Sequence, residues 1–478
     1  MLLNALLFIS ILAIFIPFLN QFRFLKSSPN VYISLTIGTA ASCLALSLLQ
    51  LFLAIYKPDI SEINPILSIS FSSNIYSTSF ACAVTTTWFF VAIYRALGCN
   101  NTSPTGPLQN CYIPALFCAT LHFAFSDNIA TSTLFYEIIS LIGMLAVCMM
   151  NTENSIANLK KYISLLILPS AIFLLPATIF TLFYAETITY VSGGIFKEIT
   201  SSDGVLPILL IFFIIGISKF PIFPFFGWLP ITSQSDYIKQ ITHSCIFAGV
   251  GSFFAFKILI DILGTNHLYN NISLNLLFWF SVISAIYSSI KSVSLSSIKL
   301  KITHTLIAQT SCVGISLSLF TDIGNIASFT QIISNIFSIS LTILCLNTIY
   351  NITNSDKMQS INGVGKKFKI LAICFVIGSS SLIGLPFTLG FIPKILTFGA
   401  IFKSNNSLDV IQMLVIALTF VTSVVAILPI HFRMFLLRPS SQIVVHHLNS
   451  GTKNILTALA ILNVLLFFIG IIVCFKFI

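Results

Sequence analysis

The sequence predicts an all-α, polytopic membrane protein of about 14 transmembrane helices. Three observations carry that prediction. Of the 478 residues, 56% are hydrophobic and 8% charged, and the mean hydropathy is +1.00, whereas an ordinary soluble domain is roughly 25% charged. Apolar stretches of about twenty residues, the length that crosses a hydrocarbon core, recur from one end of the chain to the other. The polar turns between them alternate in charge, as loops do when they lie alternately on two faces of a bilayer.

The first helix is expected at about 2–20. It has no basic stretch ahead of it and Arg23 and Lys26 behind it, which favours a retained helix over a cleaved signal. The second, at about 31–55, leads into Lys57, Asp59 and Glu62, in a Ser- and Ile-rich stretch 58–78 read as an extramembrane loop with a short hairpin. A third at about 79–98 ends near Arg95, a fourth at about 110–126 ends before Asp127, and a fifth at about 128–151 is followed by Glu153, Lys160 and Lys161. The sixth, at about 161–188, precedes Glu186, Lys197, Glu198 and Asp203, and the seventh, at about 204–226, precedes Asp236 and Lys239. The eighth, at about 239–262, carries Lys257 and Asp261 toward its end, and the ninth, at about 272–290, is followed by Lys291, Lys299 and Lys301. The tenth at about 302–320 leads to Asp322, and the eleventh at about 326–350 to Asp356, Lys357, Lys366, Lys367 and Lys369. The twelfth, at about 368–402, is long and broken by Pro386 and Pro393, with Lys403 and Asp409 after it. The thirteenth, at about 408–437, ends in Arg433 and Arg438, and Lys453 opens the fourteenth, at about 453–475.

Counted this way, the loops after odd-numbered helices hold sixteen bases and three acids, and those after even-numbered helices four bases and nine acids. Lys and Arg accumulate on the cytoplasmic side, so the odd loops are expected there and both termini on the opposite, non-cytoplasmic face. This topology explains the net charge of +10 without nucleic acid, because the bases form no stripe interleaved with aromatic platforms. Eleven cysteines stand without any C-x-x-C spacing, and read as small apolar helix residues, not as a metal or redox centre. No glycine-rich phosphate loop, dinucleotide fingerprint or Ser/His/Asp arrangement occurs. No cofactor and no metal are expected, and any enzyme role is that of a subunit without a redox site of its own.

Setting aside Lys476 in the tail, three charged residues have no loop to occupy: Glu137, Lys219 and Lys394. A charge near the bilayer centre costs on the order of 3 kcal/mol on insertion scales and faces a partner, a bundle interior or a water-filled path. The functional reading is an ion or proton relay; the alternative is a lysine that snorkels to the interface or locks two helices together. Lys219 lies in G-I-S-K-F-P-I-F-P-F-F-G-W-L-P at 216–230, and Lys394 in G-L-P-F-T-L-G-F-I-P-K at 384–394. Two helices broken by proline beside a lysine, one in each half of the chain, are what a transporter built from repeats presents. His122 and Asp127, five residues apart, share no helix face and read as an end-of-helix feature.

At this point the sequence resembles a known family. The 216–230 run, followed by His243 and F-A-G-V-G at 247–251, resembles the seventh and eighth helices of the antiporter-like subunits shared by respiratory complex I (NADH:quinone oxidoreductase) and Mrp-type sodium/proton antiporters. S-I-K-L-K-I-T-H-T-L-I-A-Q at 297–309 is similar to the family's D-L-K-R-L-L-A-Y-S-x-I-x-Q segment, with Lys299 in the lysine position. I-N-G-V-G-K-K-F-K at 361–369 and the 384–394 run resemble its L-G-G-L-G and G-L-P-P-x-S-G-F-x-x-K segments. F-Y-E-I-I-S-L at 135–141 resembles the helix that supplies the family's buried glutamate. The likeness covers about 105–402, with order and spacing kept.

The resemblance implies two inverted five-helix repeats in a translocating core at 105–402, flanked by three helices in 1–104 and two in 403–478. It implies Glu137 paired with Lys219, Lys394 as the exit-side group, and Lys299 in the family's lysine position; the ion-translocation residues expected here are these four with His243 and His304. It further implies a proton or sodium/proton translocating subunit within a larger complex, whose partners are other membrane subunits, the lipid bilayer and the ions, in a bacterial inner membrane. The sequence departs from the family pattern at three places. Ile246, Phe247 and Ala248 occupy the stretch where the eighth helix usually has a lysine, the eleventh-helix lysine is missing near Ser338, and S-Q-S-D-Y-I-K-Q replaces a proline-rich segment. His243 and His304 could stand in as relay groups, since imidazole titrates near neutrality; the other reading of a helix histidine is a hydrogen-bonded core residue. A structural subunit that keeps the fold but has lost conduction therefore remains an alternative, and a stand-alone solute carrier a third.

Overall fold

Backbone amides have no water to bond in hydrocarbon, so apolar spans must satisfy them internally, and helices do so. The structure, a computed structural model, describes residues 2–19, 29–56, 69–97, 107–149, 155–196, 205–264, 274–404, 408–439 and 448–477. Among these residues the chain is helical, with three isolated antiparallel bridges and no extended sheet. In chain order the main helices are α1 (Leu2–Leu19), α2 (Pro29–Tyr56), α3 (Ile75–Ala96), α4 (Pro107–Ala124), α5 (Ile129–Cys148), α6 (Ser155–Ala185), α7 (Val205–Gly216), α8 (Tyr237–Leu263), α9 (Leu274–Ser294), α10 (Ile298–Leu317), α11 (Asp322–Thr353), α12 (Lys369–Ile383), α13 (Phe391–Ser404), α14 (Asp409–Phe435) and α15 (Ser450–Phe477). Nine of the described helices are long and apolar enough to cross a membrane, and Leu2–Pro17, Cys111–Ala124, Val205–Gly216 and Lys369–Ile383 are shorter apolar helices.

Polar residues mark the starts of several helices. The Asn74 side chain accepts from Ser77 N and Ser77 Oγ accepts from Asn74 N, a reciprocal cap that begins α3 at Ile75, four residues before the expected start. Asn128 accepts from Thr131 N at the start of α5, and Thr321 from Gly324 N at the start of α11. The hairpin expected within 58–78 falls largely on residues 57–68, outside the described residues, as do the loop charges Arg23, Lys26, Lys57, Asp59, Glu62, Glu153, Lys197, Glu198 and Asp203. Two expected spans are discontinuous: the chain leaves helix after Gly216 in one and after Ile383 in the other.

Burial sorts the helices into centre and perimeter. The most apolar stretches of α8 and α11 are 89% and 94% buried, against 28% in α6 and 33% in α15. Phe183, Leu428, Phe468 and Ile472 are exposed on α6, α14 and α15, a belt of large apolar side chains that suits lipid and not water. At the centre, α8 and α11 carry many buried polar residues, among them His243, Gln331, Ser334 and Ser338.

The turns gather at two ends. At one, the loops after α2, α4 and α6 meet the end of α8: Phe71 bridges Ser126, Asn128 bridges Thr189, Tyr190 N donates to Asp127 O at 3.0 Å, and Val191 N donates to Asp261 O at 3.2 Å. At the other, Ser297 bridges Lys357, the Tyr237 hydroxyl donates to Asp356, Lys239 Nζ donates to Met149 O at 3.3 Å, and Gly363 N donates to Arg433 O at 3.0 Å. Among the described residues, the turns carrying Asp127 and Asp261 thus lie together, as do those carrying Lys239, Lys357 and Arg433.

Candidate functional site

The break after α7 begins with the sequence itself. Pro221 and Pro224 lack the amide hydrogens that would continue the helix, and the chain runs through 217–227 in turns before one more helical turn at Trp228–Thr232. From 217 to 222 this irregular backbone belongs to buried residues, the condition for it at membrane depth, while Phe223 and Pro224 are exposed. Ser218 Oγ donates to Leu166 O at 2.5 Å, and the Trp228 indole donates to Ser218 O at 3.0 Å. α8 presses directly on the break. A Cβ on Gly251 would collide with the backbone of Lys219 and Phe220, so only glycine allows that approach.

Lys219 is completely buried. Its Nζ donates to Tyr136 O at 2.6 Å and to Ser140 Oγ at 2.5 Å, and it sits 3.1 Å from the centre of the Tyr136 ring. Its own amide donates to the Tyr136 hydroxyl at 2.8 Å. Hydrogen bonds to a charged group contribute about 1.5–3 kcal/mol each and a desolvated cation–π contact about 2 kcal/mol, enough to offset the insertion cost of the ammonium. The snorkelling alternative does not apply, because the side chain is turned inward.

Glu137, the residue beside Tyr136, acts electrostatically on Lys219 but makes no ion pair with it. The pairing implied by the resemblance is replaced by the Tyr136 and Ser140 contacts, and the buried Oε1 of Glu137 has no hydrogen-bond partner among the described residues. Phe247, on the α8 stretch expected to hold a lysine, places its ring 6.0 Å from the Lys219 ammonium and stacks on His243 with centroids 4.6 Å apart. His243 is fully buried; its Nδ1 lies 2.9 Å from Lys239 O, so that nitrogen carries the hydrogen, and Nε2 is unpartnered among the described residues. Lys219, Phe247 and His243 thus form a sequence of cation, ring and proton acceptor. π-helical stretches at Thr242–Phe247 in α8 and at Ile163–Ile167 and Ser170–Leu174 in α6 adjoin it, a distortion frequent at functional sites.

The other expected residues lie elsewhere. Lys394 is buried with its Nζ donating to Ile383 O, the last carbonyl of α12, and lies 5.0 Å from the Phe420 ring. A cation at a helix C-terminus is favourable in itself. Gly384, at φ +85°, turns the chain there. Lys299 donates to Ser235 O at 2.8 Å and lies over the Tyr237 ring at 4.0 Å. His304 is buried with Nδ1 unpartnered among the described residues. Ser338 bonds Ser381 Oγ at 2.7 Å, a neutral contact where the family pattern has a lysine.

One buried cation was counted with the loop charges. Lys257, assigned to an even-loop end, is 3% exposed and donates to Ala124 O at 3.1 Å and Ser126 O at 3.0 Å. Asp261 and Asp127 act on it electrostatically, and the Tyr190 ring lies 4.8 Å away. Burial, reinforced by those two carboxylates, pushes the Tyr190 phenol above its usual range. The available signal was Lys257 and Asp261 one turn apart on a single helix face.

The chain has known relatives. A family model described as the NADH:quinone oxidoreductase/Mrp antiporter transmembrane region matches residues 126–426. NADH-quinone oxidoreductase subunit M of Rickettsia prowazekii (strain Madrid E) is 28% identical over 260 residues, 53% of this chain and 50% of that relative, so the chain spans about half the length of that curated relative. A chain of the archaeal membrane-bound sulfane sulfur reductase superposes with a TM-score of 0.83 at 17% identity, covering 98% of this chain and 93% of that one. A chain of respiratory complex I from Thermus thermophilus superposes with a TM-score of 0.78 at 17% identity, covering 96% and 95%.

Proposed function

The chain belongs to the NADH:quinone oxidoreductase/Mrp antiporter family of membrane subunits, and from that premise we propose that it translocates protons, or exchanges sodium for protons, as an integral subunit of a larger respiratory or cation-antiporter complex. The observation that carries this reading is the Lys219 ammonium, fully buried at a break in the seventh span and held by two oxygens of α5. A group that can release and regain a proton there, beside irregular backbone and the unpartnered Glu137 oxygen, has the chemistry of a relay station. In this reading the chain crosses the membrane fourteen times, with α7 and its following turn forming one broken span and α12 and α13 another. The core at 105–402 is two inverted five-helix repeats, one around Lys219 and one around Lys394. Glu137 biases Lys219 by its charge, and His243, Lys299 and His304 carry the proton toward Lys394. The basic loops face the cytoplasm and both termini the opposite side of a bacterial inner membrane.

The test is proton or sodium flux in membrane vesicles bearing the assembled complex. Lys219→Ala is expected to abolish flux while the complex still assembles; unchanged flux would sink the reading.

A second reading is favoured by Ile246, Phe247 and Ala248 on α8 and by the neutral Ser338–Ser381 contact: a structural subunit in which conduction has ended. It predicts full flux of the complex with Lys219→Ala, and loss of assembly when close packing is disturbed, as at Gly251.

A further inference from the structure

Two features outside the relay just described meet on α5. Ser132, Tyr136 and Ser140 recur every four residues and so share one face, with Ser132 and Ser140 about 12 Å apart along the axis at 1.5 Å per residue. At the inner end Ser140 accepts from Lys219 Nζ. At the outer end Ser132 accepts from the Tyr190 hydroxyl at 2.7 Å and contacts the Ser126 hydroxyl. Ser126 O in turn accepts from Lys257 Nζ. Lys257 therefore lies where α4 ends, under the loop that follows α6, at the same face as Asp127 and Asp261.

The ammonium of Lys257 has the surroundings of an exchange group. It is buried, it takes carbonyl partners instead of a carboxylate at ion-pair distance, and two carboxylates act on it from nearby. The hydroxyls of Ser126 and Tyr190 both contact Ser132 Oγ on α5, and the Ser126 carbonyl accepts from Lys257.

We propose that Lys257, Tyr190 and Ser132 form the proton port of the acidic-loop face, joined to Lys219 by the hydroxyl face of α5. This deepens the conduction reading and rests on it. Cβ atoms one turn apart on a helix are about 5–6 Å from each other, and waters bridging the hydroxyls along this face complete the path. Each hydroxyl or water accepts one proton on oxygen and passes on another, so one proton enters at the port for each one taken by Lys219, and no hydroxyl is left ionised. Asp261 and Asp127 act on Lys257 at the mouth, and Lys257 releases and regains a proton behind them.

The experiment measures proton flux in vesicles carrying the assembled complex with Lys257→Gln, Ser132→Ala and Tyr190→Phe, with Lys219→Ala alongside. The expected result is at least tenfold lower flux with Lys257→Gln and with Lys257→Arg alike, since arginine keeps the charge but does not give up its proton, and about threefold to tenfold lower flux with Ser132→Ala and Tyr190→Phe. Should Lys257→Gln fail to assemble, the two milder variants decide between port and no port. Full flux in the port variants, with Lys219→Ala inactive, overturns the port and spares the relay. Full flux with Lys219→Ala as well overturns both.

Discussion

Lys219 Nζ lies 2.6 Å from the main-chain oxygen of Tyr136, and the same tyrosine's ring centre is 3.1 Å from it. One residue thus supplies both a dipole and a π face to a cation with no exposure to solvent. The contact also places Glu137, next along α5, as an electrostatic neighbour and not as an ion-pair partner.

Ser140→Ala removes one of the two oxygens on Lys219 and leaves the other. Losing one hydrogen bond to a charged group corresponds to about 1.5–3 kcal/mol, so flux through the assembled complex is expected to fall by about tenfold to a hundredfold, while Ser140→Thr keeps most of it. Equal flux in both variants would show that this hydroxyl does not serve Lys219.

Gly251→Ala drives a Cβ into the backbone of Lys219 and Phe220. Overpacking of this kind costs about 1–3 kcal/mol, and backbone cannot rotate aside as a side chain can. The thermal midpoint of the purified complex is expected to fall, with Gly249→Ala as a comparison, because Gly249 faces the movable end of Ile336. A larger drop for Gly249→Ala would contradict the close approach of α8 to the break.

Lys394→Ala leaves the Ile383 carbonyl at the end of α12 without its ammonium donor. A buried acceptor left unsatisfied costs about 1–3 kcal/mol, so the variant complex is expected to unfold at lower temperature, and Lys394→Arg to restore it. If Lys394→Arg recovers stability but not flux, the lysine also serves transport, since arginine holds the charge but does not give up its proton.

The two clusters of turns predict opposite accessibility. Thr189→Cys, in the acidic cluster, and Gln359→Cys, in the basic one, are expected to react with an impermeant maleimide from opposite sides of intact vesicles. Labelling of both from one side would refute the alternation of loops read from the charges.

Charge and hydropathy were legible along the chain because each is a local property. A span needs mostly apolar residues to lie in lipid, so the helical membrane architecture followed from composition and order. The prolines at 221 and 224 likewise announced a break beside Lys219, since two missing amide hydrogens so close together leave little of a helix to continue, whereas the single Pro114 and Pro429 lie inside helices. What the list of residues left open were the partners. Lys257 and Lys219 differ little as letters, yet one was assigned to a loop end and the other to the core, and both proved buried.

The sequence by itself determined that this is a helical membrane protein with interrupted spans and a few charges in the interior. Only the tertiary structure decided that Tyr136 and Ser140, not Glu137, hold the Lys219 ammonium, that Phe247 stands between it and His243, and that Ser132 and Tyr190 meet near Lys257. The reason is geometric. A helix fixes which of its own residues share a face, but the neighbour across that face is chosen by packing among helices far apart in the chain, down to the single glycine at 251 that lets two backbones touch.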